Sequence, residues 1–328
     1  MDRPPPELAP MLAAPGVPPR PRLGEWAVEM KWDGVRALAV TSGSSLRLLS
    51  RTGKDITATY PEVAGLPAAI AGSDAVLDGE IVAFSDGRPD FEALQPRMHV
   101  ASADSALRLA ELIPVTYLAF DVLYLDGVPL TAQPYAERRK TLESIMRNGA
   151  SWQCPPNFPG VDLDAVRAAS VASGLEGVVA KRLDSVYEPG ARSMSWLKLK
   201  NVLKQEVVVA GWKPGQGNRA GLIGSLLVGV YGDDAHGQRG LLYCGHVGTG
   251  FTDGTLRMLT DRLSALRRPG SPFDEPVPPE YAKPAVWVEP RLVAVVTFDR
   301  WTRAGRMRAP AYQGLRDDKD PADVVRET

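Results

Sequence analysis

Residues 27–36 read AVEMKWDGVR, and this stretch places three charged side chains on one short extended segment. Because successive side chains of a strand point to opposite faces, Glu29, Lys31 and Asp33 lie on the same side of it. Gly34 then interrupts the strand. A lysine acts as a nucleophile only when its amine is unprotonated, which takes a lowered pKa or a neighbouring base. The stretch therefore predicts either a nucleophilic Lys31 or a surface lysine paired with Asp33.

The bulk composition indicates a globular protein of two domains. The chain has 328 residues, which suits two domains of ordinary size. No run of about 18 apolar residues exists, so no membrane span is expected. The proline-rich start, up to residue 24, lacks the apolar stretch of a signal peptide and is expected to be a mostly extended lead-in. Cys154 and Cys244 form no pattern, which favours a reducing cytoplasm, and Met1 suggests a complete chain.

A change in the pattern of predicted strands and helices near residue 204 predicts the domain boundary. Before it, short strand-like runs alternate with helical patterns of 10–13 residues. After it, about five short strands with glycine turns surround one helical segment, which is typical of a small β-barrel such as an OB fold. We therefore predict an α+β chain with one domain over residues 1–204 and a second over 205–328. The segment VLKQE, residues 202–206, is the candidate hinge between them.

Three further segments place carboxylates and lysines on strands. LDGE, at 77–80, puts Asp78 and Glu80 on one strand face, and EGVVAKR begins with Glu176. SWLKLK places Lys198 and Lys200 on one face together with Trp196, while its two leucines face the core. Two lysines on one face repel each other unless an anion lies between them.

Taken together, these segments predict a phosphate-handling site. They supply one candidate nucleophile, carboxylates suited to a hard cation such as Mg²⁺, and lysines suited to phosphate oxygens. Taken singly, each segment also fits a solvated strand. Their combination favours phosphoryl or nucleotidyl transfer.

Six segments occur along the chain in a recognisable order: KWDGVR (31–36), LDGEIV (77–82), LAFDVL (118–123), EGVVAK (176–181), WLKLK (196–200) and RMRAPAYQGLRDDK (306–319). In this order they resemble the sequence motifs of ATP-dependent DNA ligases, members of the covalent nucleotidyltransferase superfamily. The resemblance extends from about residue 8 to 326 and is closest to the ligase module of bacterial multifunctional end-joining enzymes. The polymerase and phosphoesterase modules of those enzymes are absent from this sequence.

The resemblance implies a fold and a set of catalytic residues. The N-terminal domain would be a nucleotidyltransferase (adenylation) domain of antiparallel sheets flanked by helices, and the C-terminal domain an OB-fold β-barrel. Lys31 would attack the α-phosphate of ATP, form lysyl-AMP and release pyrophosphate. Lys198 and Lys200 would clamp that phosphate, and Asp33 would assist in catalysis.

The resemblance also implies ligands for the nucleotide and a metal. The backbone of Glu29 would read the adenine amino group, Phe120 would stack on the purine, and Glu80 would hold the ribose. Glu176 and Glu80 would bind Mg²⁺ or Mn²⁺. Arg316 and Lys319 would orient the pyrophosphate, which demands closure of the C-terminal domain. The full set of expected nucleotide-binding residues is Glu29, Met30, Arg36, Arg51, Glu80, Phe120, Arg316 and Lys319.

The expected substrate is nicked or broken double-stranded DNA. AMP would pass from Lys31 to a 5′-phosphate, and a 3′-hydroxyl would displace it. By analogy with the end-joining enzymes, we expect a cytoplasmic, nucleoid-associated monomer without membrane contact. Partners would be a Ku-type end-binding protein and separate polymerase and nuclease proteins.

Three alternatives stay open at this point. An mRNA-capping guanylyltransferase shares the lysine motif but uses GTP. An RNA ligase would differ in its nicked substrate. A catalytically silent DNA-binding module would form no covalent AMP adduct.

Overall fold

The computed structural model describes residues 8–98, 100, 102–233 and 237–327. The chain divides into two units, Met1–Asn201 and Val202–Thr328. Both combine sheets with helices, so the α+β class predicted from the sequence is confirmed. Among the described residues, no helix has the length and apolar character needed to cross a membrane.

In the part of the first unit that the structure describes, there are two sheets and five α-helices. One sheet has the strand order β1-β12-β11-β2-β10, and the other the order β4-β3-β5-β7-β8, with β6 on β5 and β9 on β7. Two parallel pairings, β1 with β12 and β9 with β7, join ladders that are otherwise antiparallel. The strands are β1 (Leu12–Pro15), β2 (Trp26–Lys31), β3 (Val35–Ser42), β4 (Ser45–Ser50), β5 (Ala75–Ser85), β6 (Arg88–Pro89), β7 (Val115–Leu125), β8 (Val128–Pro129), β9 (Trp152–Gln153), β10 (Asn157–Pro159), β11 (Gly177–Arg182) and β12 (Arg192–Lys200). The helices are α1 (Leu66–Ala69), α2 (Phe91–Leu94), α3 (Ala103–Leu112), α4 (Tyr135–Ile145) and α5 (Leu163–Ala172).

Apolar side chains cover both faces of each sheet in this unit. Between the sheets, Leu38 and Phe120 of one pack with Met11 and Trp196 of the other. The outer face of the β5 sheet packs against α1 and α4. The outer face of the β2 sheet packs against α5. The alternating pattern of β2 thus places its apolar side chains outward, under α5, and its charged ones between the sheets.

Helix α4 has an unusual buried face, which contains two arginines. Its fully or almost fully buried residues are Tyr135, Arg138, Arg139 and Leu142, spaced as one helical stripe. Arg138 forms a bidentate ion pair with buried Asp121 on β7, at 2.8 and 2.9 Å. The sequence pattern showed charges on one face of this helix but did not show that two of them would be buried.

The second unit is built on one five-stranded antiparallel sheet of order β15-β14-β13-β16-β17. A parallel bridge between Thr249 and Ala311 joins the chain just after β15 to β17, so opposite edges of the sheet meet there. The strands are β13 (Leu203–Pro214), β14 (Ile223–Asp233), β15 (Arg239–Val247), β16 (Val286–Phe298) and β17 (Ala311–Leu315). The helices are α6 (Asp253–Ser264), which lies over the core, and α7 (Pro279–Ala282).

Three local expectations differ from the structure. The expected lead-in is not simply extended, because Leu12–Pro15 forms β1 and Arg20–Glu25 a 3₁₀ helix; residues 1–7 lie outside the described part. Residues 203–206 of the candidate hinge are paired with β16, which leaves Val202 outside the ladder. Trp196 does not share a solvated face with the lysines but is 2% exposed, because the second sheet packs on that face.

Candidate functional site

A cavity of about 230 Å³ opens in the first unit, with strands from both sheets in its wall. Six cationic and two acidic side chains line it, together with apolar and aromatic groups. This composition suits an anion attached to a flat apolar group. The lining residues are Leu12, Ala13, Glu29, Met30, Lys31, Trp32, Arg36, Arg51, Glu80, Phe120, Val179, Lys181, Arg192, Trp196 and Lys198.

Most residues predicted for the first unit meet at this cavity. Eight of them line it: Glu29, Met30, Lys31, Arg36, Arg51, Glu80, Phe120 and Lys198. Segments separated by up to about 170 residues of sequence are brought together because β2, β11 and β12 are neighbours in one sheet.

Lys31, Glu176 and Lys200 form a half-exposed group that we call the Lys31 cluster. The ammonium of Lys31 donates a hydrogen bond to the Glu176 carboxylate, and Lys200 Nζ lies 3.0 Å from the same group. The exposed fractions of the three side chains are 22%, 17% and 40%. Partial burial favours the protonated acid, but the two ammonium groups outweigh it and hold the pKa of Glu176 below its ordinary value.

Gly177 explains how Glu176 comes to lie between two lysines. Its Cα is in register with Lys31 on one neighbouring strand and with Lys200 on the other. Its φ is +148°, and a Cβ built there would lie 2.1 Å from the carbonyl oxygen of Leu199. Only glycine permits this close approach, so Gly177 fixes the position of Glu176 between Lys31 and Lys200.

Gly34 has a comparable role on the other side of the nucleophile candidate. A Cβ at this position would lie 2.2 Å from the Ile81 carbonyl oxygen on β5. The chain that leaves β2 therefore passes directly against the strand that carries Glu80. This answers why a glycine follows Lys31 so closely in the sequence.

Two predicted nucleotide ligands have partners within the protein. Arg36 donates through Nε and Nη2 to the buried Asp78 carboxylate, both at 2.6 Å. Its guanidinium also lies 4.6 Å from the centre of the Phe120 ring. A purine that stacks on Phe120 would have to displace a cation from that ring or approach its edge. The roles of Arg36 and Phe120 stay predictions.

Burial at the cavity changes the acidity of Glu80 and Lys198. Burial raises the pKa of Glu80 to about 7, despite the opposing charges of Arg36 and Lys31. Burial also lowers the pKa of Lys198, and the neighbouring Arg192 and Lys31 lower it further. Titratable groups perturbed in this way are concentrated at functional sites.

A second, buried group reaches from the cavity wall into the protein, and we call it the Glu29 cluster: Glu29 and Lys181 in the wall, and Tyr135 and Arg139 behind them. The Lys181 ammonium lies 2.8 Å from Glu29 Oε2, and Arg139 Nη1 lies 3.6 Å from Oε1. The Tyr135 hydroxyl donates a hydrogen bond to Oε1. Lys181 was not among the predicted site residues, although it ends the motif EGVVAK.

The remaining predicted residues lie outside the cavity wall. Asp33 does not line it, and its charge contributes to the raised pKa of Glu80. In the second unit, Arg316 and Lys319 both pair with Glu206, at 2.7 and 3.3 Å. No sequence pattern indicated that β1 would add Leu12 and Ala13 to the wall.

A divalent metal site is not preformed in the described residues. They contain no group of three or more histidine, cysteine, aspartate or glutamate side chains that could hold an ion. Mg²⁺ commonly binds through one or two carboxylates together with substrate phosphates. Glu80 and Glu176 fit that donor set only when a polyphosphate supplies the other ligands.

Family models match both units. Residues 10–200 match the ATP-dependent DNA ligase domain, and residues 219–319 match the ATP-dependent DNA ligase C-terminal region. The chain is 43% identical over 321 residues to the multifunctional non-homologous end joining DNA repair protein LigD of Mycobacterium tuberculosis. That match covers 98% of this chain and 40% of the relative, so the chain spans about two fifths of the length of the curated relatives it matches.

Two solved structures are similar over almost the whole chain. The ligase domain of M. tuberculosis LigD is 40% identical, with 98% of each chain covered and a TM-score of 0.54. A mycobacterial DNA ligase D complexed with ATP and MES is 41% identical, with the same coverage and a TM-score of 0.55. These matches confirm the predicted arrangement of a nucleotidyltransferase domain followed by an OB-fold domain. The chain belongs to the ATP-dependent DNA ligase family.

Proposed function

We propose that the chain seals breaks in DNA by transferring AMP from ATP through Lys31 to a 5′-phosphate. The observation that carries this proposal is the position of Lys31: a lysine in the wall of a cation-rich cavity, held by Glu176 in a chain of this family. In the first step, a bond forms between Lys31 Nζ and the α-phosphorus of ATP. The bond from that phosphorus to the bridging oxygen breaks, and pyrophosphate leaves.

The wall of the cavity suits the two ends of ATP. Its volume is below the range of about 300–1,000 Å³ typical of whole ligand sites. We therefore assign the enclosed part to adenosine, against Phe120 and Trp196. The phosphates would extend toward Lys31, Lys198 and Arg51, whose charges stabilise the negative charge that develops in phosphoryl transfer.

A metal would act beside these cations. When Mg²⁺ or Mn²⁺ is bound, it neutralises charge on the phosphates. Glu176 and Glu80 would hold it. Glu176 would then exchange part of its contact with Lys31 or Lys200 for the metal.

The second unit would contribute two cations to the first step. Arg316 and Lys319 would contact the pyrophosphate leaving group. Each now pairs with Glu206, so phosphate oxygens would replace this carboxylate. We assign adenylation to the first unit, Met1–Asn201, and the OB fold to the second, Val202–Thr328; the sequence had suggested residues 1–204 and 205–328.

The later steps use the same residues. AMP passes from Lys31 to the 5′-phosphate of a break, and the 3′-hydroxyl then attacks that phosphate and expels AMP. The relatives named as end-joining proteins support a role in double-strand-break repair, with a Ku-type protein, a polymerase and a nuclease as partners. We propose a cytoplasmic, nucleoid-associated monomer.

Sealing of matched substrates tests the proposal. A duplex with one nick, labelled at its 5′-phosphate, is incubated with the protein, ATP and either Mg²⁺ or Mn²⁺. Parallel reactions replace ATP by GTP, or the nicked strand by RNA. Sealing of DNA with ATP, abolished in Lys31→Ala, is the expected result. Use of GTP would instead indicate a guanylyltransferase, preference for RNA an RNA ligase, and failure to seal any substrate a DNA-binding module.

A further inference from the structure

Helix α4 supplies two side chains to the Glu29 cluster, and neither touches the cavity. Tyr135 and Arg139 are 0% and 3% exposed. Both contact the Glu29 carboxylate from behind the wall. Glu29 and Lys181 themselves line the cavity. The contacts therefore run from α4 through one carboxylate to an ammonium at the cavity.

The Lys181 ammonium is fixed in position by its surroundings. It lies 2.8 Å from Glu29 Oε2 and 3.4 Å from the Phe120 carbonyl oxygen. Three aromatic rings, of Phe120, Trp196 and Tyr135, have centres 4.3–4.9 Å from it. An ammonium has three N–H donors, and in the described residues two oxygen acceptors reach it. This leaves a donor for an acceptor atom of a ligand.

The α4 side chains are themselves held by the fold. Arg139 donates through Nε to Glu143 at 2.8 Å and through Nη2 to the Pro155 carbonyl oxygen. Asn157, on β10, donates to the Tyr135 hydroxyl at 3.3 Å. Because Tyr135 and Arg139 cannot move easily, the carboxylate that they hold cannot move easily either.

Stability alone does not account for such a group. Removing charges from water is costly, and an apolar cluster of the same volume is often as stable as a buried ion pair. Arg138, on the same helix, pairs with Asp121 of β7, and neither residue is in the cavity wall, which is the arrangement expected of a purely structural pair. The Glu29 cluster instead ends at the wall.

We propose that Tyr135 and Arg139 are positioning residues for nucleotide capture. They hold Glu29, and Glu29 holds the Lys181 ammonium toward a ring nitrogen of the bound purine. This inference rests on the proposed function, because it takes ATP as the ligand of the cavity. Tyr135 acts on ATP affinity and has no part in the chemical step.

Lysyl-AMP formation in Tyr135→Phe is the primary test. The variant keeps the ring and removes the hydroxyl that anchors Glu29. We expect the half-saturating ATP concentration to rise about tenfold, which is the scale of one hydrogen bond to a charged group. The maximal rate at saturating ATP should change less than about twofold, since Lys31 and its neighbours are intact. An unchanged half-saturating ATP concentration in Tyr135→Phe would overturn the inference.

A double-mutant cycle separates positioning from general destabilisation. In a Lys181→Met background, Tyr135→Phe should have no further effect on half-saturation, because the group it acts through is gone. An equal increase in both backgrounds would contradict the proposal. Glu29→Gln serves as the background if Lys181→Met does not fold.

Tyr117→Phe is the matched control. It removes a buried hydroxyl that donates to the carbonyl oxygens of Ala37 and Leu77, outside the cavity wall. We expect lower stability with unchanged half-saturation, and an equal rise in half-saturation here would overturn the inference.

ATP binding to the Lys31→Ala protein, measured by calorimetry, gives a readout that needs no adduct. If the wild type forms no lysyl-AMP while Tyr135→Phe still weakens ATP binding about tenfold, the proposed function fails and this inference stands. If the wild type forms the adduct and Tyr135→Phe does not weaken ATP binding, the proposed function stands and this inference fails.

Discussion

The Lys31 cluster and the Glu29 cluster lie side by side and use the same kinds of groups in different surroundings. Each has a carboxylate between two cationic side chains, and β2 contributes to both. In the Lys31 cluster the side chains are 17–40% exposed. In the Glu29 cluster the ionic side chains are 2–8% exposed. The first group is open to exchange of partners, whereas the second is fixed by the protein around it.

This difference matches two requirements of nucleotide transfer. A nucleophile and its neighbours must change partners as ATP, AMP and DNA arrive and leave. A base-recognition group must instead stay in place, because lost orientation reduces affinity. Exposure, more than the identity of the charges, separates the two roles.

Removing the carboxylate from each cluster should give the largest contrast. Glu29→Ala leaves Lys181 and Arg139 buried without their shared carboxylate, so we expect the free energy of unfolding to fall by about 3–5 kcal/mol. Glu176→Ala removes a half-exposed pair and should cost at most about 1 kcal/mol. Urea denaturation of both variants measures the difference.

Similar losses of unfolding free energy in the two variants would contradict the comparison, since burial would then not determine how much each carboxylate stabilises the fold. The carboxamide variants Glu29→Gln and Glu176→Gln keep the side-chain volume and serve as controls for packing.

Gly177→Ala tests whether backbone geometry positions the Lys31 cluster. The added Cβ meets the Leu199 carbonyl oxygen, and φ is unfavourable for alanine, so stability should fall by about 1–3 kcal/mol. Because β12 is pushed away, the rate of lysyl-AMP formation should also fall, whereas half-saturation by ATP should change little. Gly127→Ala, at a positive φ with open space around it, is the control for φ alone. If both variants lose equal activity, close packing at Gly177 is not what matters.

The sequence motifs grouped Lys31, Glu176 and Lys200 in one candidate site, whereas of the Glu29 cluster they indicated only Glu29, and the reason is physical. Lys31, Glu176 and Lys200 belong to short motifs on strands, and in the structure the pairing of β11 with β2 and β12 brings them together. Tyr135 and Arg139 lie on a helix about 100 residues from Glu29, in a pattern that fits an ordinary charged surface. Only tertiary packing buries that face.

The same limit applied to individual side chains at the cavity. Strand alternation placed Trp196 with the lysines, but it contained no information about the second sheet that covers it. The motif resemblance predicted that Arg36 lies at the site. It did not predict the bidentate pair with Asp78, which depends on the register of β3 against β5. Strand and helix identities were therefore predictable, and the contacts between layers were not.

Glu80 provides a pH test at the same cavity. Folded Glu80 keeps its proton up to about pH 7, whereas the unfolded chain loses it near 4.5. The stability from this group is therefore fully present below pH 4.5 and is lost as the pH rises through 7. The Glu80→Gln side chain cannot ionise, so the free energy of unfolding of this variant should exceed that of the wild type by about 3 kcal/mol at pH 8.5 and nearly match it near pH 4.5.

Denaturation curves at the two pH values measure this difference. Glu111→Gln, at an exposed position on α3, is the control and should show no pH-dependent gain. A constant difference between Glu80→Gln and the wild type across this range would contradict a half-buried Glu80 that titrates near pH 7.

Glu206 should give the smallest effect, and it extends the comparison to the second unit. Its carboxylate holds Arg316 and Lys319 in a half-exposed group like the Lys31 cluster. Glu206→Gln should cost less than about 1 kcal/mol of stability. If these cations act on pyrophosphate, the rate of lysyl-AMP formation should rise about two- to fivefold, because Glu206 no longer competes for Lys319 and only Asp318 still competes for Arg316.

A rapid-quench assay with labelled ATP measures this rate. Glu289→Gln removes the surface pair with Arg268 in the same unit and should leave the rate unchanged. A slower reaction in Glu206→Gln would show that the pairing organises these cations and does not compete for them.

The central claim is that Lys31 carries AMP, and intact-protein mass spectrometry tests it most directly. The purified protein is first treated with pyrophosphate to remove any AMP, and is then incubated with ATP and Mg²⁺ beside Lys31→Ala. A gain of one AMP by the wild type alone, mapped to the peptide that contains Lys31, is the predicted result. No gain by the wild type, or an equal gain by Lys31→Ala, would contradict the account.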